Sequence, residues 1–271
     1  MPSGKASRQR RQTVAPPPVR SKGAPRPGRR QASPRVLAGV AAVVVIVAVG
    51  VGIALATTGG SSGSLANLPT VGSLSNALPG AAAVEALFRG NPQQGTTLGS
   101  ASAPVTLQEF IDPQCPYCQE FETLILPSLV KDYVRPGRLK IEMEPWAFIG
   151  PDSVTGQAAE LAAAKQNKVF DFAEVLYDNQ REENTGWLTT SMVGAIARSV
   201  PGLLVHELLN ERSSSAVKAA QQKVDALATL RKISGTPTLF VGKSGTQGSE
   251  VQMTSATDGA AVVAAIKAAG G

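Results

Sequence analysis

Cys115 and Cys118 are the only two cysteines in 271 residues, and they stand two residues apart as Cys115-Pro116-Tyr117-Cys118. A thiolate is the nucleophile of disulfide exchange, and a free cysteine is mostly protonated at neutral pH. A dithiol with this spacing does redox chemistry when it opens a helix. Unpaired amides and the positive end of the helix dipole then stabilise the first thiolate. Pro116 suits the first helical position, since its missing N–H is not needed there and its φ is already helical. Cys118, one turn further in, can reach the sulfur of Cys115. The pattern assigns Cys115 as the exposed attacking thiol and Cys118 as the resolving one.

Two other uses of the cysteines fit less well. A structural disulfide over so short a loop removes little chain entropy. A closed zinc site needs about four ligands, and the chain has two Cys and one His, His206, in a helical stretch between Val205 and Glu207. No metal and no cofactor are expected.

The elements that must position the pair can be read on either side of it. Val105–Ile111 reads as a strand entering the motif, and 116–130 as a helix leaving it, interrupted near Pro127. Leu139–Glu144 reads as a second strand. From Ser153 to Arg231 the pattern is helical. Val169, Phe172, Ala173, Leu176 and Tyr177 form one amphipathic stripe. Met192, Val193, Ile196 and Ala197 form another, and Val217, Val224, Leu227 and Ala228 a third. Gly235-Thr236-Pro237-Thr238 feeds a strand through Val241. Gly242–Gly248 reads as a loop, Glu250–Met253 as an edge strand, and Asp258 as the cap of a last helix buried through Val262, Val263 and Ile266. Strand, helix, strand, helical block, strand, strand, helix is an α/β order with an inserted helical block.

Charge is unevenly spread. Ten of the 26 Lys and Arg lie in residues 1–35, which hold no acid. The other 16 face 20 acidic residues, so residues 36–271 carry about −4 despite a total of +6. The basic surplus belongs to the tail and gives no case for nucleic-acid binding by the folded part. Residues 1–35 read as a disordered tail, with too little to bury. Residues 36–56 hold no charged residue; as a helix at ~1.5 Å per residue they would reach ~31 Å, about one hydrocarbon core. This run predicts one transmembrane signal anchor in the bilayer, with the basic end in the cytoplasm and the body outside. Ala54-Leu55-Ala56 resembles a cleavage site, but the apolar run exceeds a signal-peptide core. Residues 57–96 read as a Gly/Ser-rich flexible tether followed by a short helix near 81–89.

The run Phe110-Ile111-Asp112-Pro113-Gln114-Cys115-Pro116-Tyr117-Cys118-Gln119-Glu120-Phe121-Glu122, with the later Gly235-Thr236-Pro237-Thr238, resembles the DsbA-like branch of the thioredoxin superfamily. The resemblance spans roughly 97–269. It implies a thioredoxin-like fold over 97–271 with a helical subdomain inserted at about 153–231, preceded here by the single transmembrane helix. It implies that Pro237 is a cis-proline beside the dithiol. Thr236 would offer backbone groups to a substrate peptide, with Pro116 and Tyr117 also at the substrate face. It implies that Glu109 is a buried acid handling protons during exchange. Strand alternation agrees, since Val105, Leu107, Glu109 and Ile111 share one face. Glu122 is a weaker candidate for the same work, and Asp112 reads as a solvated loop acid. Tyr117 departs from the His of the strongest oxidants in the family and supplies no cation.

The activity implied is an extracytoplasmic, plasma-membrane thiol–disulfide oxidoreductase. Its substrates would be reduced or misoxidised secreted proteins, and a membrane partner of the DsbB or VKOR-like kind would reoxidise it. An isomerase or reductase of the same fold, or a non-catalytic tethered binding module, are the alternatives.

Overall fold

The computed structural model describes residues 68–271. The basic tail, the apolar 36–56 run and the first part of the tether lie outside the described residues. Among the described residues no helix is long and apolar enough to cross a membrane.

A six-stranded sheet carries the site. Its strands are β1 (Gln93–Gln94), β2 (Thr97–Leu98), β3 (Val105–Ile111), β4 (Leu139–Pro145), β5 (Thr238–Lys243) and β6 (Ser249–Glu250), in the spatial order β1-β2-β4-β3-β5-β6. β3 lies between a parallel β4 and an antiparallel β5, with Glu109 opposite Met143 on one side and Leu239 on the other. A strand paired on both edges and covered on both faces tolerates few polar side chains. Val105, Leu107, Phe110 and Ile111 are fully buried. The hairpin of β1 and β2 was not anticipated, because two-residue strands carry no alternation. At the other edge only Ser249 and Glu250 pair, where the sequence suggested 250–253.

Before the sheet runs α1 (Ala81–Phe88). After β3 come α2 (Pro116–Leu124) and α3 (Leu126–Leu129), the latter running into a π turn at Val130–Val134. The break at Ile125 precedes Pro127, which lacks the N–H a continuous helix would need. The insertion is five helices: α4 (Pro151–Ala164), α5 (Val169–Asp178), α6 (Thr190–Arg198), α7 (Val205–Glu211) and α8 (Ser215–Leu230). Two of these have side-chain caps, Thr189 Oγ1 accepting from the Met192 amide and Ser214 Oγ from that of Val217. Each such cap contributes about 0.5–2 kcal/mol. Asp258 caps α9 (Gly259–Ala269) by accepting from Ala261. Val262 and Ile266 of α9 join the main core, while Ala228 near the end of α8 meets Phe110 and Phe240 on the opposite sheet face.

The stretch read as a tether is in part something else. Residues 70–78 are strapped to the insertion. The Gly72 amide donates to Leu203 O at 2.8 Å, the Gly202 amide to Gly72 O at 3.0 Å, and the Val205 amide to Thr70 O at 3.0 Å. Leu68, Ala77 and Leu78 pack on the core. Gly72 is needed there: a Cβ would lie 2.1 Å from Val200 O and 2.6 Å from Ala197 O. Gly and Ser, read from composition as flexibility, here permit close backbone contact.

Candidate functional site

Cys115 is the N-cap of α2 and Pro116 its first residue. The Cys115 thiol points at the Thr236 carbonyl, 3.3 Å away, and the Thr236–Pro237 peptide is cis. β5 starts one residue later and pairs with β3, so the sheet itself carries Thr236 and Pro237 to the dithiol. Both cysteines are free thiols. Cys118 is fully buried and accepts from the Asp112 amide at 3.5 Å. Cys115 was expected to be exposed, yet only 4% of its surface reaches solvent. The carbonyl of Thr236 and the sulfur of Cys118 occupy its flanks.

The two thiols are driven apart electrostatically. Hydrogen bonding from Cys118 is the largest influence on Cys115, helped by the side chain of Thr236, whose carbonyl can only accept, and by the amides of Cys118 and Tyr117. Against the cost of burial these lower its pKa to about 6. Burial first, then the neighbouring Cys115, pushes Cys118 well above the usual thiol range. At neutral pH the reduced site is therefore a Cys115 thiolate held by a protonated Cys118. This arrangement can make the outer sulfur a nucleophile and lets the inner one take up a proton on leaving a disulfide. Tyr117 is 61% exposed and acts on the thiolate through its backbone amide.

Asp112 is no solvated loop acid. It is fully buried, and both carboxylate oxygens accept hydrogen bonds. Oδ1 takes the Gln114 amide at 2.7 Å and Ser153 Oγ at 2.8 Å; Oδ2 takes the Phe148 and Ile149 amides at 2.7 and 2.8 Å. One side chain thus ties the loop before Cys115 to the β4–α4 loop and to the first turn of α4. Gln114 extends the tie, donating to Ser153 Oγ and accepting from the Asn184 amide. Tyr177 donates to Asp112 O at 3.0 Å, and Gln180 donates to Pro113 O and Cys115 O at 3.1 and 3.2 Å. Gln119 reaches back from α2 to Tyr177 O at 2.7 Å. The insertion therefore grips the dithiol loop from behind. Gly156 of α4 allows the approach, for a Cβ there would lie 2.5 Å from Pro113 Cγ.

Glu109 lies on the dithiol side of β3, fully buried, with no hydrogen-bond partner for either oxygen. Burial, with Glu174 nearby, raises its pKa well above the carboxylate range. Glu122 and Glu160 are also fully buried and shifted the same way, and Glu174 is 3% exposed and shifted likewise. Desolvation is the leading cause for all four.

Of the residues singled out from sequence, Cys115, Cys118, Thr236 and Pro237 come together. Pro116 and Tyr117 are exposed beside them. Pro116 and Gln180 line an open recess of about 360 Å³ with the loop residues Arg181, Glu182 and Glu183. Glu109 lies deeper, among other acids. His206 is exposed, with Nε2 3.1 Å from Leu68 O. Among the described residues no group of three or more His, Cys, Asp or Glu is placed to hold a metal ion. Sequence reasoning missed the roles of Asp112, Gln114, Tyr177, Gln180 and Glu174. For Glu174 the sequence pointed the other way: Asp171, Glu174 and Asp178 fall at i, i+3 and i+7 on the polar side of α5, a spacing that reads as a solvated face.

The family model described as Thioredoxin matches residues 91–256. A probable disulfide bond formation protein D of Bacillus cereus is 30% identical over 158 residues, 57% of this chain and 72% of its own. Disulfide bond formation protein D of Bacillus subtilis is 31% identical over 147 residues, 53% of this chain and 66% of its own. Among solved structures, oxidised BdbD from Bacillus subtilis aligns with a TM-score of 0.57 at 24% identity, over 66% of this chain and 96% of that one. Chlamydia trachomatis DsbA aligns with a TM-score of 0.55 at 18% identity, over 64% and 91%. These two structures share the fold.

Proposed function

The chain belongs to the DsbA-like branch of the thioredoxin superfamily and is a protein thiol–disulfide oxidoreductase, and from that premise we propose that it donates the Cys115–Cys118 disulfide to newly translocated proteins outside the cytoplasm. The observation that carries this direction is the asymmetry of the pair. A Cys115 thiolate with a pKa of about 6 stabilises the reduced form, and a stabilised reduced form makes the disulfide an oxidant.

The steps follow from the two sulfurs. A substrate thiolate attacks Cys115 Sγ of the oxidised protein. The Cys115–Cys118 bond breaks, and Cys118 leaves as a thiolate and takes up a proton, with Glu109 the buried group proposed to supply it. A second substrate thiolate then attacks the substrate sulfur of the mixed disulfide, and Cys115 leaves as the stabilised thiolate. The substrate loses two electrons, and the dithiol gains them. Thr236 is proposed to hold the extended substrate backbone across Cys115, with Pro237, Pro116 and Tyr117 shaping that face.

The names of the Bacillus relatives, disulfide bond formation protein D, support disulfide formation as the reaction. The apolar 36–56 run supports plasma-membrane anchoring with the N-terminus inside. Turnover then needs reoxidation by a membrane partner of the DsbB or VKOR-like kind.

The test is trapping. Cys118→Ala, with Cys115 first oxidised to its mixed disulfide with glutathione, should release glutathione and leave Cys115 joined to reduced secreted proteins in mixed disulfides that dissolve on reduction, while Cys115→Ala traps none. Trapping of cytoplasmic proteins alone, or equal trapping by both variants, would contradict the reading.

A further inference from the structure

Four buried carboxyls are more than one proton-handling acid requires, and three of them form a line. Glu109 of β3 acts on Glu122 of α2, and Glu174 of α5 acts on Glu109. Glu122 and Glu174 lie on the packed helices α2 and α5, close enough for one carboxyl, when protonated, to donate to the other. No other donor reaches either oxygen of Glu109 or Glu122, or Glu174 Oε1. The line does not stop inside the protein. Glu174 and the exposed Asp178, one helical turn on, lie in an open groove of about 480 Å³ between α1 and α2–α3. Val84 and Leu87 give the groove apolar walls, and Lys131 and Arg135 stand at its rim.

We propose that Glu122 and Glu174 conduct protons between Glu109 and this groove, giving the dithiol a proton path that leaves through the helical insertion. The inference rests on the oxidoreductase reading above. Its physical basis is access. While the mixed disulfide exists, substrate covers the Cys115 face, and Cys118 is sealed from solvent on its own side. The proton that Cys118 takes up must still be replaced. A path behind the sheet lets Glu109 be reprotonated from Glu122, Glu122 from Glu174, and Glu174 from water in the groove. Protonated, each carboxyl is a donor and an acceptor at once, as such a chain requires. The charged groups facing Glu174 are Glu109 from β3, Glu122 from α2, Asp178 on its own helix, and Lys131 and Arg135 across the groove. The two cations favour release of the proton at the outer end.

Glu122 and Glu174 are positioning residues here, acting through Glu109. The test uses the full-length chain with Glu174→Gln, in single-turnover oxidation of a reduced dithiol peptide followed across pH. Glutamine keeps the size and loses the exchangeable acid proton. The expected result is a rate at least about tenfold lower near neutral pH, with an altered pH profile. The Cys115 thiolate titration should stay as in the wild type. Ala83→Trp places a bulky ring at the same groove from an exposed position on α1, and should slow the same step. The double variant should be no slower than the slower single one. Wild-type rates and pH profiles in both variants overturn the path. If Glu174→Gln fails to fold, Ala83→Trp decides alone. If the wild type itself does not oxidise the peptide, the disulfide-donor reading fails instead.

Discussion

Cys115 and Cys118 are chemically the same residue with opposite tasks, and their surroundings make the difference. Cys115 receives hydrogen bonds from Cys118 and two helix-start amides; Cys118 is sealed in the core. Titrating the ultraviolet absorbance of the thiolate in the reduced protein should give a midpoint near 6, as the lowered Cys115 pKa requires. A midpoint near the ordinary thiol value would show that the geometry does not stabilise the anion. Asp112 makes a second prediction at this scale. Its four donors would be stranded in Asp112→Ala, at a cost of about 1–3 kcal/mol for each buried group left unsatisfied. Denaturant unfolding should show a loss of at least about 2 kcal/mol. The paired cysteines and the helix they open were legible in the sequence, because spacing and the following helix are local facts. It did not show Asp112 as a tie, because the donors at Phe148, Ile149 and Ser153 are brought to it by folding.

β3 was legible from the alternation of Val105, Leu107 and Ile111, and β5 from the apolar run Leu239-Phe240-Val241 that follows a proline-containing turn. Pairing them brings Thr236 and Pro237 to α2. Composition misread residues 70–78, since Gly and Ser serve a close-packed strap as readily as a free tether. The grip of the insertion on the dithiol loop also had no sequence signature. It consists of amide side chains such as Gln119 and Gln180, which bond to main-chain carbonyls. The contact of α4 with Pro113 gives a prediction for this scale. Gly156→Leu should push α4 away from the loop, lower stability by about 1–3 kcal/mol, and slow exchange while leaving both cysteines intact. Equal exchange rates in the variant and the wild type would mean that the insertion does not set the loop's position.

The buried acids give the whole molecule an unusual response to pH. Glu109, Glu122, Glu160 and Glu174 all have folded pKa values raised well above the ordinary carboxylate value. Between the unfolded and folded values the native state holds protons that the unfolded chain has released, so stability falls as pH rises through that window. The Cys115 thiolate acts the other way in the reduced protein. Its depressed pKa adds stability above about 6 that is lost as pH falls through that value. The oxidised form lacks this term, so its thermal midpoint should decline as pH rises above the ordinary carboxylate range. Replacing Glu109 with Gln should flatten part of that slope and raise the midpoint at the upper end. A midpoint that rises with pH in the oxidised form would remove the buried-acid account.

The central claim is that the protein gives disulfides away, and the reduction potential of the Cys115–Cys118 pair tests it most directly. Full-length protein equilibrated in glutathione buffers should show a potential between about −120 and −200 mV, on the oxidising side of the range for such dithiols. A value of about −230 mV or below would mark a pair kept reduced for donating electrons, and would contradict the account.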